Sequence, residues 1–252
     1  MATQPTFTKL QRLNLSAALL HLAQGLFIIA LANGFSLPVV ARYMAGPPGS
    51  TAPRQFHTLF NLSIAGAVAA FFFCSAIAHF LVAFPLRTKY EGHLNEHRDP
   101  YRWIEYSVSS SIMVLIIALI TGIDDIAALI ALVGVNASMI GFGWIQERYE
   151  APGQSLMPFW LGCGAGIVPW LAIGVYLIAP GANQHAPGFV YGIFVSLFIF
   201  FNCFALVQYL QYAQVGKFKD YLVGERTYLI LSLVAKSLLA WQVFAGTLAP
   251  AN

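Results

Sequence analysis

The sequence predicts an all-α fold, one bundle of seven helices that cross a membrane. Three observations carry that expectation. The chain is 58% hydrophobic and only 9% charged, with a mean hydropathy of +0.70, whereas about a quarter of the residues in a soluble domain are charged. Seven stretches reach the roughly 20 predominantly apolar residues that a spanning helix needs. Turn-forming residues punctuate the connections between them. A length of 252 residues suits a single domain over residues 1–252, with the lipid bilayer as its solvent.

The expected spans are residues 13–40, 56–84, 103–121, 126–145, 158–178, 189–212 and 228–248. The first follows a polar N-terminus that runs to Arg12, with no cleavable signal evident. Gly46-Pro47-Pro48-Gly49 separates it from the second; this is the longest loop on its side, and a short hairpin or cap fits it. Gly122 with Asp124-Asp125 ends the third span, and Pro180-Gly181 follows the fifth. Cys74, Cys163 and Cys203 all sit in apolar stretches, without a CxxC or Cys/His cluster, so neither a disulfide framework nor a metal site is expected. No soluble domain, catalytic constellation or nucleic-acid-binding patch stands out, and the chain reads as a non-enzyme.

Lysine and arginine orient such a bundle. Lys9, Arg12, Arg87, Lys89, Arg98, Arg102, Arg148, Lys217, Lys219 and Arg226 fall on the N-terminal side, against Arg42 and Arg54 opposite. Ten against two predicts a multi-pass protein of the cell membrane with a cytoplasmic N-terminus and an extracellular C-terminus.

Two charges are left inside the spans. Glu105 stands early in the third, Lys236 is the one base at mid-span, and the other acids are assigned to polar connections. A charge at the bilayer centre costs about 2.5–3.5 kcal/mol on insertion scales, so a lone acid and a lone base call for each other. One reading is a structural ion pair, which apolar residues often replace without loss. In the other, a desolvated lysine amine condenses with an aldehyde to a Schiff base and Glu105 balances its charge. Ser232 lies one turn before Lys236 and Ser109 one turn after Glu105, on the faces that carry the charges. Glu147-Arg148-Tyr149 imitates an animal-receptor motif but ends the fourth span, and reads as an interfacial charge cluster.

These residues match a family. Ser232-Leu233-Val234-Ala235-Lys236-Ser237 resembles the retinal-attachment segment of microbial rhodopsins, and Arg102-Trp103-Ile104-Glu105-Tyr106 resembles their counterion motif. Residues 131–143 are similar to the fourth helix of archaeal pumps. Pumps carry a second acid where this chain has Ser232, and a proton donor where it has Ile116. A glutamate counterion in Glu105-Tyr106-Ser107-Val108-Ser109-Ser110-Ser111 is similar to the heliorhodopsins, a group with a cytoplasmic N-terminus.

That resemblance implies all-trans retinal on Lys236, Glu105 as counterion, and hydrogen bonding of the Schiff base by Ser232 and Ser109. It implies a cavity and proton-acceptor region at His21, His79, Ser75 and Tyr106. It also implies a retinal pocket of Ser110, Met113, Asn136, Met139, Gly143, Trp160, Cys163, Gly164, Phe201 and Gln208. The implied function is light sensing coupled to signalling, as a homodimer with a downstream partner the sequence does not name. A light-gated channel or transporter is the alternative. Gly162-x-x-x-Gly166 fits a small-residue helix contact, within the bundle or between protomers.

Overall fold

The computed structural model describes residues 4–51, 53, 55–178 and 185–250. Its elements are α1 (Gln4–Leu31), β1 (Ser36–Tyr43), β2 (Gln55–Ser63), α2 (Ile64–Ala83), α3 (Arg87–Asn95), α4 (Pro100–Ile120), α5 (Ile126–Tyr149), α6 (Met157–Ile178), α7 (Gly188–Tyr212) and α8 (Tyr221–Val243). All but α3 among these helices are long and apolar enough to span a bilayer, so the seven-span bundle is observed. Neighbours pack in chain order, α8 closes the ring on α1, and α4 also touches α6 and α7. Large apolar side chains such as Leu26, Ile77, Ile130, Leu171 and Val195 point outward, as a lipid-facing surface requires.

Four of the helices start on a residue type that the rules of helix ends favour. Ser63 Oγ accepts the Gly66 N–H at 3.1 Å. Asp99 accepts the Tyr101 and Arg102 N–H groups, with Pro100 in the first turn of α4. Asp125 caps α5 and Asp220 caps α8.

The first expected span is displaced, since α1 starts at Gln4 and ends at Leu31, and the second begins eight residues early, because the apolar residues between Leu31 and Ile64 form a hairpin. Residues 32–40 and 56–63 are mostly strand, antiparallel from the Ser36/Ser63 pair to the Tyr43/Gln55 pair. Pro38 cannot donate a helical hydrogen bond. Asn33 fixes the turn instead: its Nδ2 donates to the Thr247 and Ala249 carbonyls while its Oδ1 accepts the Phe35 N–H. The Val40 N–H donates to the Asp124 carbonyl at 2.9 Å, and Arg42 pairs with Asp124 at 2.8 Å. The hairpin is thereby fastened to the turn that starts α5. At the opposite, N-terminal face, α3 packs Tyr90 and Leu94 against Phe7, Leu10 and Leu222, a helix hidden from the sequence pattern by its polarity. Arg54 and the Pro180-Gly181 turn lie outside the described residues.

Candidate functional site

The lone acid and the lone base do meet. Lys236 Nζ lies 2.7 Å from Glu105 Oε1 and 2.8 Å from Ser232 Oγ, and both charged residues are at most 5% exposed. The α8 spacing explains the serine, since residues four apart share a helix face. Ser75 Oγ approaches the same Glu105 oxygen at 2.6 Å, so one carboxylate oxygen faces an ammonium and a hydroxyl. The Tyr106 ring centroid is 5.3 Å from Nζ. Its hydroxyl donates to the Tyr228 carbonyl at 3.0 Å. Ser109 Oγ is buried with no protein partner; it bonds neither member of the pair.

His21 and His79 stack, centroids 5.6 Å apart and planes within 7°. Asn14 Nδ2 donates to the Leu10 carbonyl, which leaves its Oδ1 to accept from His79 Nδ1 at 2.8 Å. A neutral His79 then carries its proton on Nδ1 and offers Nε2 as an acceptor. His79 Nε2 and both His21 nitrogens are buried without protein partners. His79 shares a cavity with Glu105. Asn14 was not legible as a site residue, because an asparagine near the start of a span reads as ordinary interfacial polarity.

From Lys236 an apolar slot of about 110 Å³ runs between α4, α5, α6 and α7. Ser110, Met113, Met139, Gly143, Cys163, Phe201 and Gln208 line it as expected. Asn136 stands behind the wall, its Nδ2 donating to Ser110 Oγ at 2.8 Å and Ser111 Oγ at 3.1 Å.

Besides Asn136, two expected members do not line the slot. Trp160 is 60% exposed on the outer face, and Gly164 is exposed beside it. The α6 wall is Phe159, Gly162 and Cys163, a single helical face at i, i+3 and i+4. The expected register is one residue late at both positions, a turn of about 100° at 3.6 residues per turn. Gln146 sets the true register by accepting the Phe159 N–H at 3.1 Å.

Trp103, Phe204 and Tyr228 are wall residues that the sequence reading missed. Tyr228 had a signal, since Tyr228, Ser232 and Lys236 recur every four residues. Trp103 needs Gly143, where an added Cβ would come within 2.6 Å of its ring. Gly162 and Gly166 face Phe142 and Met139 of α5, so that pair serves contact within the bundle.

A second buried cluster corrects the assignment of every other acid to polar connections. Asp99, Arg102, Glu147 and Glu225 are each at most 6% exposed. Arg102 pairs with Glu147 through Nη2 and with Glu225 through Nη1. Within Glu147-Arg148-Tyr149, only Glu147 turns inward; Arg148 and Tyr149 are exposed.

The slot combines an apolar wall, a primary amine at its inner end, an anion beside that amine, and an unpartnered hydroxyl at Ser109. The sequence model of the family described as heliorhodopsin matches residues 10–248. No curated protein sequence matches the chain. Among solved structures, the Exiguobacterium sibiricum rhodopsin is similar at 18% identity and a TM-score of 0.65, covering 96% of each chain. A cyanorhodopsin from Tolypothrix sp. aligns at 14% identity and a TM-score of 0.64, over 98% of this chain and 96% of its own. A light-driven proton pump from Leptosphaeria maculans aligns at 13% identity and 0.65, over 98% and 97%.

Proposed function

Because the chain belongs to the heliorhodopsin family, we propose that it is a photoreceptor holding all-trans retinal as a Schiff base on Lys236, with Glu105 as counterion. One observation carries the reading: the slot ends at an amine that a carboxylate meets at 2.7 Å. When bound, retinal supplies a light-absorbing polyene whose isomerisation re-aims the N–H bond at Lys236.

The protein's own residues do the rest. Glu105 balances the positive charge, and Ser75 and Ser232 fix the orientation of that pair through hydrogen bonds. Met113, Phe201 and Phe204 exclude water from the slot, which strengthens the electrostatics inside it. His79 Nε2 is a free acceptor in the Glu105 cavity and suits a proton that leaves the amine. Loss of the charge pair biases the helices toward a second arrangement, a local electrostatic switch.

Signalling is favoured over pumping by two positions. Ser232 replaces the second acid of pumps and is spent on Lys236. Ile116, in place of their donor, is fully buried in the apolar core. The charge asymmetry between the faces supports a cytoplasmic N-terminus, and family likeness supports a homodimer.

The test is expression with retinal. The proposal expects a visible band that hydroxylamine bleaches and that Lys236→Ala abolishes, with no sustained photocurrent under voltage clamp. A colourless wild type overturns the chromophore; a sustained photocurrent overturns the signalling role.

A further inference from the structure

We infer that Asn14 is a positioning residue for the proton that light displaces. It fixes His79 in the tautomer whose proton sits on Nδ1, so that Nε2 is the one nitrogen through which this side chain takes up a proton and gives it back. The tautomer needs no chromophore; its use rests on the function proposed above.

Hydrogen-bond complementarity orients both side chains. A carbonyl only accepts, so the Asn14 atom 3.1 Å from the Leu10 carbonyl is the amide nitrogen. The Asn14 oxygen therefore faces His79 Nδ1, at 2.8 Å, and an amide oxygen requires an N–H opposite it. Asn14 is 2% exposed, so bulk water does not compete for that oxygen. Stacking on His21, with the planes within 7°, holds the His79 ring in place. The bond at one ring nitrogen sets the state of the other.

That other nitrogen, Nε2, is buried without a protein partner. His79 lies on the wall of a cavity of about 30 Å³ that also reaches Glu105, room for a water or two. Besides Asn14, the titratable and charged groups around it are Tyr90 of α3, Asp99 at the cap of α4, Arg102, Glu105 and Tyr106 of α4, and Glu225 of α8. None of them bonds Nε2. An imidazolium would bury a second N–H without an acceptor, so the ring at rest is neutral.

A proton that leaves the Lys236 nitrogen forms its new bond with the Nε2 lone pair, and the ring becomes an imidazolium. Its Nδ1–H points at an amide oxygen, which is no base, so that side offers no exit. The proton returns by Nε2 to the Glu105 side. His79 is thus a pocket with one door, not a step in a chain across the membrane. His21 supplies the contrast, since both its nitrogens lack protein partners and no hydrogen bond selects its tautomer.

Solid-state NMR of retinal-free protein with isotope-labelled histidine rings tests the tautomer, the His79 signals being those lost in His79→Gln. Wild type at neutral pH should show a protonated Nδ1 and a bare Nε2. Asn14→Leu should move the proton to Nε2 or leave it exchanging between the two. Asn14→Asp, which keeps an oxygen acceptor, should keep a proton on Nδ1. A bare Nδ1 or an imidazolium in wild type overturns the inference, as does an Nδ1 proton that persists in Asn14→Leu or is lost in Asn14→Asp. Should a variant fail to fold, the wild-type spectrum decides. In the pigmented protein, flash absorption reads how fast the Lys236 nitrogen loses its proton, and Asn14→Leu should slow that step several-fold. An unchanged rate, with the tautomer as expected, overturns the proton role alone; a protein that binds no retinal overturns the photoreceptor reading instead.

Discussion

The bundle buries charge in two places, and the two are built on different arithmetic. At mid-membrane one base meets one acid, Lys236 and Glu105, with serine hydroxyls completing the set. Toward the N-terminal face, one base meets three acids, and eight donor–acceptor contacts tie Arg102, Asp99, Glu147 and Glu225 to one another and to their neighbours. A balanced pair is free to change its chemistry, because consuming the amine still leaves one positive charge opposite one carboxylate. The larger cluster has no such freedom. Its arginine is held on both sides, stacks over the Tyr228 ring at 4.3 Å, and joins α4, α5 and α8. The first region reads as a reactive site and the second as the structural clasp behind it.

Removing the base from each region probes that contrast most strongly. Arg102→Leu leaves three carboxyls without their cation and should cost about 3–5 kcal/mol, the range for breaking a buried ion pair. The measurement is thermal or denaturant unfolding in a fixed detergent. Lys236→Leu should cost less, because Glu105 can take up a proton once its partner is gone, and Lys236→Leu with Glu105→Leu should recover most of the loss. An equal cost at the two sites would erase the distinction.

A packing change comes next in size. Gly143→Val drives a side chain into the Trp103 ring, beside the Trp103–Glu147 hydrogen bond. Overpacking of this kind costs about 1–3 kcal/mol, read as a lowered midpoint and a displaced absorption band. Trp160→Leu, on the outward face of the same slot, should leave both within error.

The smallest effect is a pH dependence confined to the cluster. Asp99 binds its proton more tightly folded than unfolded, so its contribution is fully present below the unfolded carboxyl range. It declines as pH rises through that range toward the folded value. Wild type should therefore lose stability across that interval, and Asp99→Asn should flatten the slope.

The balanced pair was legible because a single acid and a single base within apolar runs are conspicuous. The cluster was not. Asp99 precedes a proline, Glu147 sits in a run of polar residues, and Glu225 follows the 217–220 charge run, so each reads as a helix end in water. Only the short α3, laid over that face, and the inward turn of three different helices make them a buried group. The same limit carried the first two expected spans into the hairpin, since apolar strand and apolar helix look alike over about 4–8 residues. It also produced the Trp160 and Gly164 error: which residues share a helix face follows from spacing, but which face turns inward was fixed by Gln146, from another helix.

The central claim is that the Lys236 amine is covalently occupied. Borohydride reduction of the pigmented protein, followed by peptide mass spectrometry, tests it most directly. The account predicts that the mass of reduced retinal is carried by the peptide containing Lys236 and by no other. An unmodified Lys236, or the added mass on another lysine, would contradict it.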